Sequence, residues 1–284
     1  MTTHTLTFQG TPIQVDLHPA QGAAKAALLY FHGGGLLYGS RQDLPADYVH
    51  AVTAAGYHLL CFDYLLAPES PLGDIHASVD AAVDWYLTHR QELLGGPCPY
   101  VLFGRSAGGY LILTLAHRLL ARRSVEPPAA LWCFYGYHTL LHPYFIRPCP
   151  AYQRLPMISA AQLPDLTGAP PRSQAPLEER YFLYVSARQR GAWPSVLTRG
   201  DAAALTAYAV PDQALSQLPP AFLTASTGDQ DVPPTFSNTL SQAIPRSRLY
   251  TVYGLDHDYD RDPHLPESQS LYTQAIAWLD GQLG

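Results

Sequence analysis

The string VLFGRSAGGY, residues 101–110, sets a serine inside the pattern G-x-S-x-G: Gly104, Arg105, Ser106, Ala107, Gly108. An apolar run that suits a strand precedes it and one that suits a helix follows. That context predicts a sharp strand-to-helix bend lifting the Ser106 hydroxyl above a sheet, with a helix N-terminus beneath to favour negative charge. A serine hydroxyl is a weak nucleophile at neutral pH, so it needs a base, and the base needs an acid to orient it. TVYGLDHDYDRDP offers His257 just after the last strand-like run, and TASTGDQDVPP offers Asp229 and Asp231 just after the run before it. The order is serine, aspartate, histidine, and each group falls at the carboxyl end of a separate strand-like run. Either Asp229 or Asp231 could be the orienting acid, the other then being a turn or helix-cap residue. Asp256 and Asp258 flank the base and read as solvated loop charges.

A second string, LYFHGGGLLYGS at residues 29–40, gives up three side chains in a row after an apolar run. Glycine loses more backbone entropy on folding than any other residue, so a triplet at a strand end suggests that bare amides are wanted there. Attack of Ser106 on a carbonyl would put charge on its oxygen, and donors already in place must meet it. The amides of Gly33, Gly34 and Ala107 are assigned to that oxyanion hole. Arg105, Tyr135, Tyr137 and Trp193 are candidate substrate contacts, although aromatic residues at helical spacing usually pack inward.

The elements that must position these groups alternate along the chain. HTLTFQG and TPIQVDLHP read as an opening hairpin; AALLYFHG, YHLLCFDY, PYVLFGRSAGG, AALWCFYG, PPAFLTASTGD and SRLYTVYG read as short buried strands. Helix-period segments separate them, such as IHASVDAAVDWYLTHRQELLG with Ile75, Val79, Ala82, Val83, Tyr86 and Leu87 on one face. Such alternation indicates a mostly parallel sheet with helices on both faces, whose ligands collect beyond the carboxyl ends of the strands. The rhythm breaks between Tyr137 and Gln217, where SAAQLPDL, PLEERYFLYVSARQ and DAAALTAYA read as short helices. We therefore expect a core of residues 1–136 and 218–284 and a helical cap at 137–217, covering the carboxyl edge of the sheet.

Composition narrows the function classes. Apolar residues make up 47% of the 284 and charged residues 14%, which suits a folded globular chain. With a net charge of −6 and Lys25 as the sole lysine, no basic stripe offers itself to nucleic acid. Cys61, Cys98, Cys133 and Cys149 lie far apart with no CxxC and no His/Cys cluster at metal-ligand spacing, so no metal site is expected there and a reducing compartment fits. His138 and His142 lack the partners a metal would require. MTTHTLTFQG has no signal-peptide character and no window is apolar enough to span a bilayer, so a cytoplasmic location is expected.

HGGG (His32–Gly35), DYLLAPE (Asp63–Glu69), GRSAGG (Gly104–Gly109), GDQDVP and GLDHDYD together resemble the α/β-hydrolases of the hormone-sensitive-lipase-like esterase group. The resemblance runs from about Ala26 to the end, apart from the cap. It implies an eight-stranded sheet, a serine hydrolase mechanism without metal or organic cofactor, and small-molecule acyl esters as substrates, with a homodimer possible as in many relatives. Because the GDQDVP stretch resembles the D-x-x-V-P turn of many hydrolases, with Asp229 four residues before Pro233, the resemblance favours Asp229 as the orienting acid and Asp231 as the turn or helix-cap residue. Two departures stand out: the family usually has an acidic residue before the nucleophile and an arginine inside DYRLAPE, whereas Arg105 and Leu65 stand here. Arg105 would then hold the bend by meeting a carboxylate such as Asp63 or Glu69, or contact an acidic substrate group. The cap's position between strands six and seven also differs from the family's N-terminal cap and is shared with aminopeptidases. An aminopeptidase would need Glu178 or Glu179 to anchor a free amine, and a non-catalytic ligand-binding protein on the same scaffold is the third reading.

Overall fold

The computed structural model describes residues 1–122, 124–166 and 168–284. Eight strands form one sheet: β1 (Thr2–Phe8), β2 (Thr11–His18), β3 (Ala26–Phe31), β4 (Tyr57–Phe62), β5 (Tyr100–Arg105), β6 (Ala130–Phe134), β7 (Ala221–Ser226) and β8 (Arg248–Val252). Their order is β1-β2-β4-β3-β5-β6-β7-β8. β2 runs antiparallel to both neighbours, and all other pairs are parallel. The expected eight-stranded, mostly parallel architecture is therefore what the chain adopts.

Side chains alternate across the central strands, so their near-continuous apolar runs feed two separate cores. Leu29, Phe31 and Leu102 face α2 (Leu72–Leu94), α3 (Ala107–Ala121) and α9 (Thr235–Ala243). Leu28, Tyr30, Val101 and Phe103 face α1 (Ala46–Ala54) and α10 (Pro266–Leu283). The helical stripe read from the sequence on α2 is buried at Ile75, Val79, Ala82, Val83 and Tyr86.

Between β6 and β7 lie α4 (Pro143–Ile146), α5 (Pro150–Gln153), α6 (Leu177–Arg190), α7 (Trp193–Thr198) and α8 (Ala202–Ala207). The segment SAAQLPDL, expected to be helical, forms only a 3-10 turn at Ala160–Gln162. Pro164 explains this, since a proline lacks the amide that would continue the helix. This inserted segment rests on the loops that leave β3 and β4. Gly39 and Ala175 exchange backbone hydrogen bonds, and the Leu66 amide donates to the Arg172 carbonyl. The Arg180 guanidinium pairs with Glu69, each side chain about 1% exposed.

Candidate active site

Ser106 follows β5 immediately and caps α3 with φ 53° and ψ −117°, a strained bend held because its amide donates to the Phe134 carbonyl (2.8 Å). Only glycine fits two residues on: a Cβ at Gly108 would lie 2.0 Å from the Phe31 carbonyl oxygen, so the first turn of α3 lies hard against β3. The bend leaves the Ser106 hydroxyl 2.8 Å from Nε2 of His257. His257 Nδ1 lies 2.6 Å from Oδ2 of Asp229, whose Oδ1 accepts the amides of Asp231 and Val232, both at 2.8 Å. The loops after β5, β7 and β8 thus bring Ser106, Asp229 and His257 into one hydrogen-bonded row. Asp231 instead accepts the Tyr184 hydroxyl and pairs with Arg188 of α6 at 3.2 Å. Burial alone would lower the His257 pKa; the carboxylates of Asp229, Asp258 and Asp231 outweigh it and raise it to about 10.

The glycine loop lies beside this row. A Cβ on Gly33 would stand 3.4 Å from the Ser106 Cβ, and Gly34 has φ +88° with Tyr38 backbone packed where a side chain would begin. The peptides that end in the Gly33 and Gly34 amides carry the His32 and Gly33 carbonyls. The Tyr64 hydroxyl lies within donor distance of both, at 2.8 and 3.1 Å, and His32 Nδ1 is 2.9 Å from the Gly33 oxygen. Because the peptide bond is planar and trans, holding the two carbonyls on one side turns both amides to the other. The Tyr64 and His32 rings stack at 4.2 Å beneath them. Sequence reasoning did not assign this anchoring role, although both residues sit inside the quoted motifs.

Other expectations need correcting. Arg105 meets neither Asp63 nor Glu69. Its Nη2 donates to Asp260 (2.9 Å) and its Nε to the Tyr135 hydroxyl, while Nη1 stands 3.8 Å from Asp43. The strand order is the reason: β3 separates β4 from β5, so Asp63 lies two strand spacings away, about 10 Å. Asp63 is occupied by Arg41 (2.8 Å) and Glu69 by Arg180. Tyr135, expected as a substrate contact, is buried; its hydroxyl donates to Asp260 and its ring meets that of His257 edge-on at 4.8 Å. Tyr137 and Trp193 are buried in an aromatic cluster with Phe145. There the Trp193 indole donates to the Gly35 carbonyl (3.0 Å), so it grips the glycine loop from behind. Asp258, read as a solvated loop charge, sits with Oδ1 3.4 Å from Nε2 of His257 and with Oδ2 taking a hydrogen bond from Arg261.

A cleft of about 680 Å³ opens beside Gly33, Gly34 and Asp258. Glu179 lines it but pairs with Arg172 (3.2 Å), and Glu178 is exposed outside it, so neither stands as a free anchor for an amine. Among the described residues no group of three potential metal ligands gathers, and no helix is long and apolar enough to cross a membrane.

A family model described as alpha/beta hydrolase fold matches residues 28–259. Lipase 2 of Moraxella sp. (strain TA144) is 38% identical over 109 residues, which is 38% of this chain and 24% of that protein. Ethyl acetate hydrolase of Pseudomonas putida is 36% identical over 107 residues, 37% of this chain and 33% of that protein. The chain thus matches a third or less of the length of either. A solved structure of an alpha/beta hydrolase superfamily protein from Enterococcus faecalis is similar throughout, with a TM-score of 0.82 and 30% identity over 99% of each chain.

Proposed function

Since the chain belongs to the alpha/beta hydrolase fold family, we propose that it is a serine hydrolase that cleaves small-molecule carboxylic esters through an acyl-enzyme intermediate. The observation that carries this reading is the hydrogen-bonded row from Asp229 through His257 to Ser106, 2.6 and 2.8 Å, next to the glycine loop. Ser106 Oγ attacks the ester carbonyl while Nε2 of His257 takes its proton; the tetrahedral oxyanion is met by the amides of Gly33, Gly34 and Ala107. Collapse breaks the ester C–O bond, and His257 returns the proton to the leaving alcohol. Water, deprotonated by the same ring, then releases the acid. Asp229 fixes the imidazole with its proton on Nδ1 and stabilises the cation that forms. We take the segment between β6 and β7 as a cap over this centre. A cytoplasmic setting is consistent with the four free cysteines.

Labelling with a fluorophosphonate and hydrolysis of p-nitrophenyl acetate test the proposal. Wild-type protein should be labelled and turn over the ester, whereas Ser106→Ala should lose the label and about 10⁴-fold or more of kcat. An unlabelled, inactive but folded wild type would overturn it and favour a ligand-binding protein.

A further inference from the structure

The cleft beside the glycine loop has a chemistry of its own. In the mechanism above the leaving alcohol takes its proton from Nε2 of His257, so it must lie on the side to which that nitrogen opens. Asp258, 3.4 Å from Nε2, lines the cleft, which therefore belongs to the alcohol half of the ester. Three cations and three anions line it: Arg105, Arg172 and Arg261 against Asp43, Glu179 and Asp258. They stand in pairs, Arg172 with Glu179 at 3.2 Å, Arg261 with Asp258 at 2.8 Å and Arg105 beside Asp43 at 3.8 Å. The balance selects neither an anion nor a cation. It leaves planar donors and acceptors, with the Gln174 amide, set among apolar surface from Tyr38, Ala175, Pro176 and Leu177, a wall of mixed character. An alkyl chain laid there would gain about 0.8 kcal/mol per CH₂ against the apolar part of the wall but would offer nothing to the charged pairs it covers, whereas a sugar ring presents both a C–H face and hydroxyls. Vicinal hydroxyls would find partners at every turn.

We propose that the leaving group is an uncharged polyhydroxylated alcohol, a sugar ring esterified by a small acyl group. The inference rests on the serine hydrolase reading. The acyl carbon forms its bond to Ser106 Oγ as its bond to the sugar oxygen breaks, and that oxygen takes the proton from His257. The hydroxyls of the ring then contact the paired side chains while its C–H face lies on Tyr38.

The test compares kcat/KM for a mono-O-acetylated methyl glucoside with that for cyclohexyl acetate, a ring of similar size without hydroxyls, using p-nitrophenyl acetate as the activity control. The sugar ester should be favoured at least tenfold, and methyl glucoside but not cyclohexanol should inhibit competitively. In the double variant Arg172→Gln, Glu179→Gln, whose side chains are 38% and 54% exposed, and with an unchanged unfolding midpoint checked first, the preference should fall about threefold or more through KM. Equal or better turnover of cyclohexyl acetate, or an unchanged preference in the variant, with p-nitrophenyl acetate still hydrolysed, overturns the inference alone. Failure of p-nitrophenyl acetate turnover together with failure of fluorophosphonate labelling overturns the hydrolase reading beneath it.

Discussion

Two carboxylates approach opposite edges of the His257 ring, Asp229 at Nδ1 (2.6 Å) and Asp258 at Nε2 (3.4 Å). Asp229 can orient the base without touching substrate, but Asp258 stands where the proton arrives, so it stabilises the imidazolium against the neutral ring. Arg261 holds the other Asp258 oxygen, Arg105 acts on Asp258 from β5, and Asp231 adds a more distant negative charge to His257. Burial is outweighed by Asp229 first, then Asp258 and more weakly Asp231, which raise the His257 pKa, and a base must be neutral to accept a proton. The acid limb of kcat/KM should therefore lie above the ordinary histidine value of about 6.5, with activity still rising into alkaline pH. In Asp258→Asn the limb should move down by about one unit, and NMR titration of the His257 ring should show the same shift without reference to turnover. A limb that stays in place would deny Asp258 this influence. Asp256, its neighbour in sequence, is exposed. Nothing in the string DHD distinguishes the two, because the difference arises from Asp258 adopting φ 58°, which turns its carboxylate back toward the ring.

At the scale of elements, the glycine loop depends on the segment between β6 and β7 pressing on it. The Arg180 to Glu69 pair joins α6 to the loop after β4, with both side chains out of water. Removing one partner of such a pair strands a buried charge, whereas exchanging both for apolar residues can be neutral. Arg180→Met should cost about 3–5 kcal/mol in urea unfolding, and Arg180→Met with Glu69→Leu should recover most of it. A single variant costing under about 1 kcal/mol would mean that water reaches the pair. The parts of this architecture legible from the chain are those determined locally. A continuous apolar run with a glycine-flanked serine requires a strand, a bend and a helix. The order of motifs then places Ser106, Asp229 and His257 after three separate strands. The partner of Arg105 was illegible because it depends on which strand lies between β4 and β5, a fact of topology and not of spacing. The same holds for Tyr137 and Trp193. Without a regular period in the inserted segment, an aromatic that fills a core and one that lines a cleft look alike.

For the molecule as a whole, few charges mean that a handful of buried groups govern its response to pH. Charged residues are 14% of the chain, and the histidines outnumber lysine twelve to one. His76, fully buried between α2 and α3, stacks on Tyr208 at 4.3 Å. Its Nε2 lies 3.1 Å from the Tyr110 hydroxyl, which itself donates to the Tyr208 carbonyl, while Arg118 Nη1 lies 3.3 Å from Nδ1. An arginine can only donate, so Nδ1 accepts and the ring is neutral with its proton on Nε2. Burial first, and Arg118 second, push the His76 pKa well below 6.5. A depressed histidine contributes stability that is fully present above the unfolded value, near 6.5, and is lost as pH falls below it, because only the unfolded chain takes up the proton. His18, His58 and His138 are lowered too and act in the same direction. His257 acts oppositely: the stability from its raised pKa is full below about 6.5 and declines as pH climbs toward 10. Stability should thus fall on the acid side, with His76 alone supplying up to about 1.4 kcal/mol per pH unit, or roughly 2 °C in Tm. Calorimetry between pH 7 and 5 should show this slope, and His76→Gln, which keeps a donor for Tyr110 and cannot be protonated, should flatten it by that amount even if it lowers Tm at pH 7. An identical slope in the variant would transfer the acid sensitivity to the other three histidines.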